Sequence, residues 1–113
     1  MAYDVTYDGI ATSQSDEAER VAGLIGESEL ILQAHHGAII ATTSLAVAFD
    51  HAYYIEQAAK VQIEWEKLPI VKQSLIDEDV ARATFNQLER NKHDFAQVHL
   101  NAFLKKFTLD FSA

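Results

Sequence analysis

Tyr3, Val5 and Tyr7 open the chain as an alternation of apolar positions with polar residues between them. A period of two predicts a short strand, and Asp8-Gly9 predicts the turn that ends it. The period then changes. Ser13 or Ser15 caps a helix whose first turn holds Asp16, Glu17 and Glu19, acids that suit the positive end of a helix dipole. Ala18, Val21, Ala22 and Ile25 recur at helical spacing, and Gly26 stops the segment.

Leu30 to Ala34 is a short apolar run, read as a strand buried on both faces. His35, His36 and Gly37 interrupt it, Ala38 to Ala41 forms a second run, and a tight turn between two such runs predicts a hairpin. Thr42, Thr43 and Ser44 can each accept an orphan N–H at the start of a helix. From Ser44 to Lys67 there is no Gly or Pro, so a long helix follows. One stripe of it reads Leu45, Ala48, Ala52, Ile55, Ala59, Ile63, and a second reads Val47, Tyr54, Ala58, Val61, Trp65. Two stripes predict packing on a sheet with one side and on another helix or subunit with the other.

Leu68 to Ile76 contains the only Pro, Pro69, and reads as a connection. Asp77 caps a helix with Glu78 and Asp79 in its first turn, running to about Asn91. His93 to Phe107 reads as a last helix with Lys105 and Lys106 in its final turn. Thr108 to Ala113 reads as a frayed tail, with docking through Phe111 as the alternative. There is no internal repeat and no low-complexity segment.

Composition narrows the class. A chain of 113 residues with 49% hydrophobic content has material for one globular domain. The lack of Cys removes disulfides, thiolate zinc sites and Cys nucleophiles, and suits a reducing compartment. Met1 to Thr12 has neither the basic start nor the apolar block of a secretory signal, and no run reaches the roughly 20 apolar residues that span a bilayer. The expectation is a soluble cytoplasmic protein without a membrane partner. A net charge of −8 with scattered bases argues against nucleic acid. Between Asp4 and Glu29, seven carboxylates stand against the single base Arg20. They read as a solubilising surface, with a metal-binding acidic cluster as the alternative.

The candidate chemistry is sparse. Adjacent residues in a strand point to opposite faces, so His35 and His36 would not share a metal, and no nearby donor has zinc-ligand spacing. Spacing alone reads them as structural histidines, with a metal role as the alternative. His51, His93 and His99 lack helical partners and read as surface or packing residues. Glu56, beside Ile55 and Ala59, is expected to be partly buried against a partner, with general-base catalysis as the alternative. Neither a Gly-x-Ser-x-Gly elbow nor a phosphate-cradling glycine loop is present, so no complete active site assembles.

Leu30–Gly37 (LILQAHHG), Ile39-Ile40 and the segment AVAFDHAYYIEQAAKVQ up to Gln62 resemble the class II aldolase/adducin family. That family has a strand ending in Asn-His-Gly, a second strand, and a helix of the type EAF…YYLE.A…Q. Ala48-Phe49, Tyr53-Tyr54, Glu56, Ala58-Ala59 and Gln62 fall in the matching places. Tyr7-Asp8-Gly9 resembles the family's lead-in and Asp77 to Ala83 its following helix, so the resemblance runs from about Tyr7 to Phe107.

The resemblance implies an α/β fold: a partial three-layer α/β/α class II aldolase-like domain over residues 1–113, with a hairpin around His36-Gly37 and three to four helices. In the family's aldolases and epimerases a divalent metal, usually zinc, is held by a His-x-His pair and the His of Asn-His-Gly. An upstream carboxylate serves as acid/base. His36 matches the third ligand. The chain has no His-x-His and corresponds to the C-terminal half, the remaining motifs falling before Met1. His35 replaces Asn, Thr42 a usual Gly, and Val47 a usual acid. One imidazole cannot hold zinc tightly or polarise a carbonyl. The expectation is a domain not catalytic alone, with no catalytic or other cofactor-binding residue assigned. It would associate as a homo-oligomer or with a complementary N-terminal-half chain. The alternative is the C-terminal portion of a zinc-dependent aldolase or epimerase, a lyase acting on a small sugar phosphate.

Overall fold

The computed structural model describes residues 1–6, 15–72 and 74–111. The chain divides into two compact units, Met1–Thr43 and Ser44–Ala113. The first is a β-α-β-β unit of β1 (Ala2–Asp4), α1 (Ser15–Ile25), β2 (Leu30–Gln33) and β3 (Gly37–Ile40). Its sheet has the order β1-β2-β3, with β1 parallel to β2 and β2 antiparallel to β3. The parallel pair is joined through α1, as a parallel connection requires, and the antiparallel pair through a tight turn. The Asp8-Gly9 turn, the Ser13 cap and Tyr7 lie outside the described residues.

Pleating decides which side chains go inside. Asp4 pairs in register with Gln33, and Ile31 with both Ala2 and Ile39, so these residues share one face. Ile31, Asp4 and Gln33 are buried there, while Tyr3 and Val5 point outward at 61% and 69% exposure. A strand forms as expected, but it ends at Asp4, before Val5, and its inward set contains the carboxylate. β2 is fully buried on this face alone, since Leu30 and Leu32 on the other are half-buried. The hairpin forms as expected, with Ala34 in the turn and Ala41 N–H donating to the Glu29 carbonyl at 3.0 Å.

α1 stops where Gly26 takes a φ of +50°, a conformation that glycine adopts without steric cost. Its inward side is Glu17, Arg20, Val21 and Ile25, while Ala18 and Ala22 of the expected stripe are exposed.

The second unit consists of α2 (Leu45–Glu66), a short 3-10 turn at Ile70–Lys72 and α3 (Glu78–Phe111). Ser44 caps α2: its backbone is extended, and its hydroxyl accepts from the Val47 N–H at 3.4 Å. Asp77 caps α3, accepting from the Asp79 N–H at 2.9 Å through its side chain and from the Ala81 N–H at 2.9 Å through its carbonyl. Ala46 and Val47 of α2 pack on Ala96 of α3, with Leu100 against them. The contact side of α2 is therefore not the stripe through Leu45 and Ile63, which are 80% and 55% exposed.

The break expected between Asn91 and His93 is absent: α3 is one helix of 34 residues. No Gly or Pro interrupts this stretch, and Lys92 stays helical with its stem half-buried and its ammonium 3.0 Å from Glu89. Lys105 and Lys106 consequently lie inside the helix, which continues through the expected tail to Phe111. Docking of the Phe111 side chain lies outside what is described. Among the described residues the fold is thus a small three-stranded sheet with three α-helices, the mixed α/β class expected.

Candidate functional site

The turn at 34–36 puts His35 and His36 at the tip of the β2–β3 hairpin, not on a strand. The two imidazoles are therefore not held on opposite faces of a strand, contrary to expectation. His36 N–H donates to the Gln33 carbonyl at 3.2 Å, closing a β-turn. His35 has φ of +61°, in the left-handed region. Among non-glycine residues, Asn, Asp and His enter that region most readily, so a histidine can hold this position. Both imidazoles are exposed.

The base of the turn is braced from β1 and α1. Ala34 N–H donates to the Asp4 carbonyl at 2.8 Å, and Gln33 Nε2 donates to Asp4 Oδ2 at 3.2 Å. Arg20 grips the same carboxylate with both terminal nitrogens, Nη1 to Oδ1 at 3.0 Å and Nη2 to Oδ2 at 2.7 Å. Thr6 adds its N–H at 3.0 Å and its hydroxyl at 3.1 Å to Oδ1. Arg20 also reaches Glu17, Nε to Oε2 at 2.6 Å and Nη2 to Oε1 at 2.7 Å. A fork of guanidinium donors matches two carboxylates in this way, and a lysine could not.

This geometry fixes the charge states. The Arg20 guanidinium holds the Asp4 carboxyl well below the usual carboxylate range; burial pushes the other way, and the Thr6 and Gln33 donors reinforce Arg20. Glu17 is lowered by Arg20 as well. Arg20 in turn is pushed up, first by Glu17 and then by Asp4. Two of the seven N-terminal acids thus share one arginine in an ion-pair network, and Asp4 is not part of a solvated surface. The sequence signal was Arg20 itself, the one base among those acids.

A second polar contact joins α2 to α3. His99 Nδ1 lies 2.7 Å from Asp50 Oδ1, and the imidazole is edge-on to Phe49 and Tyr53, with ring centroids at 5.0 and 4.6 Å. The packing role expected for His99 is realised here. Glu56 differs from expectation: it is exposed and pairs with Lys60 at 3.3 Å, the helical i,i+4 spacing.

Comparison with known families follows this geometry. The family described as Class II Aldolase and Adducin N-terminal domain matches residues 1–63. The chain belongs to the class II aldolase/adducin family. The match takes in the sheet, α1, the histidine turn and most of α2; it ends before the connection and α3, so the likeness of Asp77 to Ala83 has no counterpart in it. No curated protein and no solved structure matches the chain.

Class II aldolases are generally metal-dependent, and His36 is the residue that resembles one of their ligands. Among the described residues, no three His, Asp or Glu come together as a group that could hold a metal ion. Asp4, the carboxylate that braces the turn, already receives Arg20, Thr6 and Gln33. The donor set described here therefore does not fit a zinc site. Val47, where the family usually has an acid, is 1% exposed in the α2–α3 core, a place that favours an apolar side chain. No described helix is long and apolar enough to cross a membrane.

Proposed function

We propose that this class II aldolase/adducin-family domain is not catalytic alone and acts through association, with copies of itself or with a complementary chain. The observation that carries the reading is the apolar surface of the second unit. Ile70, Val71, Leu75 and Ile76 of the connection are 84%, 91%, 87% and 75% exposed, and Phe85 and Leu88 follow on α3 at 61% and 56%. Large apolar side chains left this exposed along one segment of the chain favour an interaction surface. The ion-pair network around Asp4 is a brace for the histidine turn, and its carboxylates are engaged. The domain is read as a soluble cytoplasmic protein with no nucleic-acid or membrane partner.

Metal analysis and a retro-aldol assay on the purified chain test this. The expected result is substoichiometric zinc and no turnover; stoichiometric tightly bound zinc together with turnover contradicts it.

A second reading is favoured by the placement of His36 at the tip of a braced turn. In it the chain is part of a zinc-dependent aldolase or epimerase acting on a small sugar phosphate, with another polypeptide supplying the remaining ligands and the acid/base. Co-expression with such a chain then gives zinc binding that His36→Ala abolishes. Unchanged zinc and activity in that variant excludes this reading.

A further inference from the structure

One side of α3 has two different surroundings along its length. Ala81, Phe85, Leu88, Lys92, Phe95 and His99 step alternately by four and three, the spacing that forms a single seam along a helix. From Ala96 onward α2 covers this region: Ala96 is buried with Val47, and His99 meets Asp50 and Tyr53. Before that point Phe85, Leu88 and Phe95 of the seam are 61%, 56% and 56% exposed, while Lys92 is half-buried.

We propose that the first half of α3 pairs antiparallel with the same segment of a second copy, about a twofold axis between Phe85 and Leu88. The occupant is argued from charge. Arg82 and Glu89 both flank the seam on its same edge, seven residues apart. An antiparallel twofold pairing sets each edge against its own copy, so Arg82 meets Glu89 of the second copy and Glu89 meets Arg82 of the second copy. Parallel pairing in register would instead set this edge against the other one, leaving Glu89 opposite Thr84. The other edge carries Thr84 and Asn91, which bring no like charges together.

The same register places Phe85 on Leu88 of the second copy, and Lys92 opposite Ala81, whose small side chain leaves room for the lysine stem. Arg82 now pairs with Glu78 at 2.6 Å and Glu89 with Lys92 at 3.0 Å along its own helix. Each ion can share its partner across the twofold without losing it. The segment lies beyond the residues that match the family. The inference deepens the association reading and rests on it.

Sedimentation equilibrium of the full chain, with far-UV circular dichroism to confirm retained helix, provides the test. The wild type is expected to dimerise. Arg82→Glu and Glu89→Arg each weaken the dimer roughly tenfold, and the double variant returns to within about threefold of wild type. Phe85→Ser dissociates it by packing loss. Single reversals without effect, or a double variant no better than either single, overturn this interface. Should the wild type still self-associate in that case, the association reading stands while this interface falls. A wild type that stays monomeric through tens of micromolar overturns the twofold pairing.

Discussion

Asp4 and Arg20 meet across β1 and α1 in a two-pronged ion pair, with Arg20 Nη2 2.7 Å from a carboxylate oxygen whose side chain is 1% exposed. The pair ties the helix to the sheet at the point where Asp4 also braces the turn that carries His36. Its partners are separated by 16 residues, so it closes the β-α-β unit in a way that no local preference does.

Removing one partner should be worse than removing both. Arg20→Met leaves a buried carboxylate without its counter-ion, whereas Asp4→Leu with Arg20→Met leaves apolar groups in their place. Thermal unfolding is expected to show a clear drop for the single variant and a partial return for the double. Equal midpoints for the single and double variants contradict the pairing as the source of the effect.

Acid should expose the same network. Asp4 in the folded chain titrates below its ordinary value of 3.8, and Glu17 below 4.5. A depressed folded value means that the unfolded chain takes up protons first, so the stabilisation is complete above about pH 5 and is lost as pH falls from there through the folded values. The urea midpoint is predicted to fall on acidification from pH 5, and less steeply in Asp4→Asn. An Asp4→Asn curve as steep as wild type contradicts this.

His35 pays for its left-handed backbone, a cost of about 1–2 kcal/mol for an L residue, of which glycine's extra unfolded-state freedom returns about 0.5–1. His35→Gly is therefore expected to stabilise the first unit by about 0.5–1 kcal/mol. His35→Val should destabilise it, because a β-branched side chain tolerates positive φ worst. Denaturant titration reads both, and a neutral valine variant contradicts the assigned turn geometry.

At the start of α2, Ser44→Ala removes the hydroxyl that accepts from Val47. With a 3.4 Å hydrogen bond the loss is placed at the low end of the capping range, about 0.5–1 kcal/mol. Ser44→Asp should retain most of the cap. Urea unfolding of the two variants makes the comparison, and equal losses would mean that the cap contributes nothing.

The parts legible in the sequence are those set by local chemistry. Gly26 and the His35-His36-Gly37 turn, Ser44 and Asp77 mark element ends because left-handed backbone and orphan N–H groups select those residue types. The class II aldolase/adducin likeness was readable in the hairpin and α2 for the same reason: its motifs are contiguous. Arg20 stood out as the one base among the N-terminal acids. Its pairing with Asp4, like that of Asp50 with His99, was not readable, since 16 and 49 residues separate the partners and nothing periodic joins them. The break expected near Asn91 does not occur, since no residue there forbids a helix. At the candidate site the family resemblance singled out His36, but its place at a turn tip depends on bonds from β1 that the sequence does not announce.

Native mass spectrometry with elemental analysis tests the central claim most directly, because it counts subunits and zinc in the same particle. The account predicts particles of more than one chain with less than one zinc per subunit. A monomer that carries one zinc and cleaves a sugar phosphate would contradict it.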